Sequence, residues 1–206
     1  MAGEIGHVVY GQRIATFLDD AVEKLPDFWS GTLFPDIRHL GVVSRHHTHP
    51  ADVTLKSLAG ETDFATGMRA HSWLDATREE WLSQQHVKEL LPWHPFVPHG
   101  LKLLEDELLY DRFEDWDGIR RVLHTVQPLE QELVQDTAAI ERWHVTLRDY
   151  FVTAPTDETR AALSERIGLS SAVAQEINSI IQRLKKNEVA AELVTAFSAH
   201  LDRLLI

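Results

Sequence analysis

Apolar residues recur at three- and four-residue intervals along most of the chain, and no stretch alternates apolar and polar positions with the period of a half-buried strand. Val8, Val9, Ile14, Phe17, Leu18 and Val22 keep helical spacing with no Gly or Pro after Gly11, which predicts a first helix over Val8 to Val22. A short segment begins at Pro26 and halts at Pro35, because the residue before a proline is pushed out of the α region, so Asp36 sits at a junction. Residues 37 to 53 mix apolar positions with four His and one Pro and read as a turn of helix followed by an irregular loop. A second long helix is predicted over about 61–85, an extended connection over Pro92, Pro95 and Pro98, and a third helix over about 99–113. Helical spacing then continues over 118–126, 130–151, 157–167 and 170–206, the last divided near Asn187. The expected fold is all-α, a single multi-helix bundle over 1–206, with candidate chemistry in 1–115 and helical packing in 116–206.

A chain of 206 residues is expected to bury roughly 70% of its unfolded surface, enough for one core without staples. The formal charge of −12 disfavours non-specific nucleic-acid binding, because such a surface repels polyphosphate, while it suits attraction of divalent cations. The absence of cysteine excludes thiolate zinc sites and cysteine catalysis, so any metal must be held by His, Asp and Glu. No run approaches the roughly 18 consecutive apolar residues of a spanning helix, and Glu4, His7, Gln12 and Arg13 interrupt what a signal peptide would need as an apolar stretch. The cytoplasm is the expected compartment. Apolar stripes such as Ile177, Ile180, Ile181 and Leu184 fit bundle packing, and a homo-oligomer interface would show the same pattern.

Seven of the twelve His fall in the first ninety residues. His71 and Asp75 stand four apart on the second long helix, so imidazole and carboxylate share one face and can converge on an ion; a hydrogen-bonded pair on a solvated face is the bland reading. Glu105 lies amid Leu101, Leu108 and Leu109 on an apolar arc, where a carboxylate needs a metal, a proton or a cation such as Arg69, Arg112 or Arg120; Asp106 and Glu107 are expected to point elsewhere. Asp36 either ligates or caps the next turn. In Ser44-Arg45-His46-His47-Thr48-His49-Pro50, His47 and His49 point the same way if the segment is extended, against the alternative of an exposed polar loop. His7, near the start of the first helix, carries the weakest individual signal. Six Trp, among them Trp29, Trp73, Trp81 and Trp93, fit a core better than a binding cleft.

The order of His7, then Gly31-Thr32-Leu33-Phe34-Pro35-Asp36, then Thr48-His49, then His71-x-x-x-Asp75 resembles bacterial zinc-dependent phospholipase C over about the first 75 residues. That family is an all-α bundle whose His and Asp hold zinc ions that cleave phosphodiesters, and the resemblance implies His7, Asp36, His49, His71 and Asp75 as ligands. Trp81 stands where the family has a further His, and no later HxxxE is evident around His94 or His99, which implies one or two ions rather than three. Gly67 to Asp75 and Leu108-Leu109-Tyr110-Asp111-Arg112-Phe113 are similar to segments of the acyl carrier protein phosphodiesterase family, an all-α metal-dependent hydrolase; that alignment implies Glu107 and Asp111 in place of Glu105. The two resemblances agree on Asp36, His71 and Asp75.

The sequence therefore leads to an expected metal-dependent phosphoester hydrolase acting on a small-molecule or lipid-like substrate. His7, Asp36, His47 or His49, His71, Asp75 and Glu105 are its candidate ligands, and Glu107 or Asp111 its candidate general base. Zinc is the leading ion, with manganese, iron or nickel compatible with the same donors. The alternative, a non-catalytic helical interaction protein, predicts that His7, His49, His71 and Asp75 lie well apart.

Overall fold

The computed structural model describes residues 2–92 and 94–206, so Trp93 lies outside the described residues. The fold is all-α. In chain order the helices are α1 (Glu4–Leu18), α2 (Leu25–Leu33), α3 (Arg45–Thr48), α4 (Asp63–Gln84), α5 (Val87–Leu90), α6 (Val97–Leu109), α7 (Trp116–Val122), α8 (Pro128–Leu133), α9 (Thr137–Tyr150), α10 (Asp157–Arg166), α11 (Ser171–Leu184) and α12 (Glu188–Leu204), with short 3-10 turns including Pro35–Leu40 and Tyr110–Arg112. Among the described residues, no helix is long and apolar enough to cross a membrane.

α1 begins at Glu4 rather than Val8, and the reason is burial. Every residue from Glu4 to Gly11 is buried, and a helix enclosed on all sides shows no amphipathic stripe for periodicity to find. It packs against α2, α4, α6 and α12 and forms the centre of the first half of the molecule. The helix expected over 130–151 is two, α8 and α9, because Asp136 caps a new start by accepting from the Ala139 amide. The break expected near Asn187 is real: its side chain accepts from the Val189 amide and opens α12. The apolar face of α11 packs on α6 and α10. Trp29, Trp73 and Trp81 are buried core residues.

One contact positions the site more than any other. α2 and α4 lie so close that a Cβ added at Gly31 would stand 2.0 Å from the Phe64 carbonyl oxygen, and one at Gly67 would stand 2.1 Å from that of Phe28. Only glycine permits that backbone approach. It brings the C-terminal end of α2 against the middle of α4, the stretch that carries His71 and Asp75.

Candidate metal centre

The site starts from a proline. Pro35 has no N–H to continue the α2 ladder and the chain tightens into a 3-10 turn, so carbonyls at the end of α2 turn to side-chain donors. Leu33 O accepts from Trp143 Nε1 at 2.9 Å, and Thr32 O pairs with His71 Nδ1 at 2.9 Å. A carbonyl can only accept, so His71 Nδ1 carries the hydrogen and the neutral ring turns a lone pair on Nε2 towards the interior. This is the arrangement by which an outer partner fixes a ligating imidazole.

What His71 Nε2 faces is a second imidazole, His49 Nε2, at 3.2 Å. His49 Nδ1 lies 2.9 Å from Thr48 Oγ1, and that hydroxyl also donates to Arg45 O at 3.4 Å, so it is placed to accept from Nδ1. With both Nδ1 atoms used as donors, two Nε2 lone pairs confront each other and need a cation or a proton between them. Asp75 Oδ2 lies 3.7 Å from His71 Nε2 and 3.8 Å from His49 Nε2, and Asp36 Oδ1 lies 3.9 Å from His49 Nε2. His7 stacks on His71 with ring centres 3.7 Å apart and planes 7° apart, and its Nε2 is 3.3 Å from Asp75 Oδ1.

Metal–ligand bonds of about 2.0–2.2 Å place neighbouring donors roughly 2.9–3.5 Å apart. The shortest separations here, 3.2 Å between His49 Nε2 and His71 Nε2 and 3.3 Å between His7 Nε2 and Asp75 Oδ1, fall in that range. Two trios, His7–Asp36–His71 and His49–His71–Asp75, each bring their donor atoms within 4.8 Å of one another. All five residues are buried, with His49 the most exposed at 7%. Among the described residues, neither His7 ring nitrogen has a hydrogen-bond partner, and neither Asp36 oxygen accepts a well-formed hydrogen bond, although Arg38 Nη2 lies 3.0 Å and His39 Nε2 3.5 Å from Asp36 Oδ1.

Protonation suits the same reading. Burial pushes the His49 and His71 rings down to about 4 and about 3, so both are neutral near pH 7. Burial opposes charge on Asp75 and Asp36 as well. Yet the His7 ring beside Asp75 and the His39 ring beside Asp36 hold these carboxyls well below the usual range. Two ionised carboxylates thus stand among the imidazoles, and a single divalent ion neutralises the pair.

The structure brings together His7, Asp36, His49, His71 and Asp75, and places the other expected site residues elsewhere. Residues 45–48 form a turn of helix rather than an extended strand, so His47 points to solvent with its Nδ1 3.1 Å from Ser44 Oγ, while His49, just past the helix end, turns inward. Glu105 is an internal ion pair: Arg78 Nε donates to it at 2.6 Å and Tyr10 Oη at 2.7 Å. The cation is therefore Arg78 and not Arg69, Arg112 or Arg120. Glu107 pairs with Arg160 Nη1 at 2.8 Å and Lys185 Nζ at 2.7 Å, against α10 and α11, and Asp111 is exposed on a 3-10 turn. Neither is grouped with the cluster.

Two residues without a sequence-level signal also border the centre. Glu4, one turn before His7, is buried with Oε2 unpartnered among the described residues, and burial together with the nearby Asp36 pushes its carboxyl well above the usual range. Asp106 is fully buried rather than outward-facing, accepting from the Gly6 amide at 2.9 Å and from Tyr150 Oη at 3.1 Å. Glu4 lies before Val8, where the apolar spacing that marks the first helix begins; Asp106 had no pattern to mark it, since it shares its face of α6 with Lys102. No protein-family model, curated protein or solved structure matches this chain.

Proposed function

We propose that the protein is a metal-dependent hydrolase acting on phosphoesters, with His49, His71 and Asp75 as the primary ligands of a divalent ion and His7 and Asp36 completing the centre. The observation that carries the metal is the pair of facing imidazole Nε2 atoms, 3.2 Å apart with His71 Nδ1 committed to a backbone carbonyl. A divalent ion in such a site lowers the pKa of a coordinated water from about 15.7 towards about 7 and offsets phosphoryl charge.

The residues around the ligands favour a phosphoester. Arg38 lies against Asp36, and Arg45, whose side chain is half exposed, reaches 3.8 Å from Asp75 Oδ2. In an acidic chain these guanidiniums gather positive charge at the edge of the centre, where they can orient and hold phosphoryl oxygens. The resemblance of residues 7–75 to zinc-dependent phospholipase C supports the same chemistry.

Depth of burial favours one other reading, an ion held purely for structure, since closed sites keep no open position for water. Elemental analysis of protein purified without an affinity tag, paired with hydrolysis of bis(p-nitrophenyl) phosphate, separates the two. The hydrolase reading expects stoichiometric metal, turnover abolished by chelation and restored by zinc or manganese, and loss of both in His71→Ala. Bound metal with no turnover leaves the structural ion; no metal after purification and none taken up on titration removes the centre altogether.

A further inference from the structure

The C-terminal end of α4, the short α5 and the first turns of α6 enclose a cavity of about 590 Å3, within the roughly 300–1,000 Å3 of small-ligand pockets. Leu82, Val87, Leu91 and Leu101 supply apolar wall. Of the charged residues in the lining, Glu79, Lys88 and Glu89 are exposed to solvent, whereas the cations Arg78 and Lys102 lie deeper and differ in commitment. Arg78 gives its Nε to Glu105, whereas Lys102, half buried, makes no hydrogen bond or ion pair among the described residues. In a chain of net charge −12 such an ammonium is conspicuous: it is half buried with no direct ion-pair partner, and an anionic ligand would supply one.

Lys102 also fixes which way the cavity faces. It lies three and four residues before Glu105 and Asp106 on α6, on the face that turns towards α1, and its positive charge reaches Asp36, Glu4 and Asp106. The cationic end is thus the end nearest the His and Asp cluster.

We propose that this cavity binds an anionic amphiphile, with an acidic head group against Lys102 and an apolar body of on the order of ten carbon atoms along Leu82, Val87, Leu91 and Leu101. The site is separate from the metal ligands and its occupancy does not depend on the ion. Carboxylate and phosphate head groups offer the same charged oxygens, so both are tested.

Decanoate, decyl phosphate and the uncharged decan-1-ol are titrated calorimetrically into the full chain in excess chelator. Both anions are expected to bind at least tenfold more tightly than the alcohol. Lys102→Met, which keeps the stem and removes the charge, lowers the affinity for the anions at least tenfold and leaves the alcohol unchanged. Leu82→Trp fills the cavity and abolishes all binding. A preference for decanoate over decyl phosphate, or the reverse, identifies the head group. The proposal is overturned by no binding in chelator, by equal affinity for alcohol and anions, by an unchanged affinity in Lys102→Met, or by binding that appears only after metal is added. Because the titrations exclude metal, failure of the hydrolase reading leaves their outcome intact.

Discussion

The hydrogen bond from His71 Nδ1 to the Thr32 carbonyl decides the chemistry of the centre, because it fixes which nitrogen of a buried, neutral ring is left to bind. Replacing His71 by Ala removes a donor common to both trios and is expected to weaken zinc binding by at least 100-fold in a competition titration with a chromogenic chelator, with helicity by circular dichroism retained. An unchanged affinity would place the ion elsewhere. Asp106 makes a separate prediction. Burial pushes its carboxyl up to about 6, from an ordinary 3.8. The folded state therefore binds more protons than the unfolded one between these values, and the contribution of Asp106 to stability is full below 3.8 and is lost as pH rises through 6. Asp106→Asn removes that titration while an amide oxygen can still accept from Gly6. The difference in melting temperature between variant and parent should move in favour of the variant from pH 4 to 6 and level off above 7. A difference constant across that range would contradict the assignment.

Among the elements, α2 and α4 act as one unit. The glycines at 31 and 67 let their backbones touch, and the carbonyl of Thr32 reaches His71 only because they do. Gly67→Ala is expected to destabilise the fold by about 1–3 kcal/mol and, by moving α2 off α4, to weaken metal binding as well. Asn187→Ala loses the cap of α12 and should cost about 1 kcal/mol with metal affinity unaffected, since α12 carries none of the ligands. Chemical denaturation and metal titration of the two variants check this contrast. The same elements show what the sequence made legible. Amphipathic helices such as α6 and α11 were readable from their stripes, and α4, buried on several sides over 70–75, from apolar residues at helical spacing such as Phe64, Met68 and Trp81; the pair His71 and Asp75, four residues apart, was readable with it. α1 was readable only in its outer half, since its inner half is buried all round. The turn at 45–48 defeated the period-two reading that paired His47 with His49, because four residues are too few for spacing to separate strand from helix. Glu105 and its cation were half legible: an apolar arc around a carboxylate demands a partner, but the choice of Arg78 depends on how α4 crosses α6, which no local pattern encodes.

For the whole molecule, the candidate centre lies in the first half and the second half packs around it. α9 closes over the end of α2 through Trp143, and α10 and α11 support α6 from behind, taking Glu107 into their own ion pairs. The centre gathers residues from α1, the turn after α2, the end of α3, and α4, so an ion held there ties the first 75 residues together. Mass action makes such an ion stabilising: at a free concentration 100 times its dissociation constant it adds about 2.7 kcal/mol. Chelation should accordingly lower the melting temperature of the parent and leave that of His71→Ala unmoved. The most direct measurement is an anomalous-difference map from crystals grown with zinc, collected across the zinc edge. A peak is expected between His49 Nε2 and His71 Nε2, within about 2.0–2.2 Å of each and of an Asp75 oxygen. Two imidazoles joined by a shared proton, with no peak between them, would contradict it.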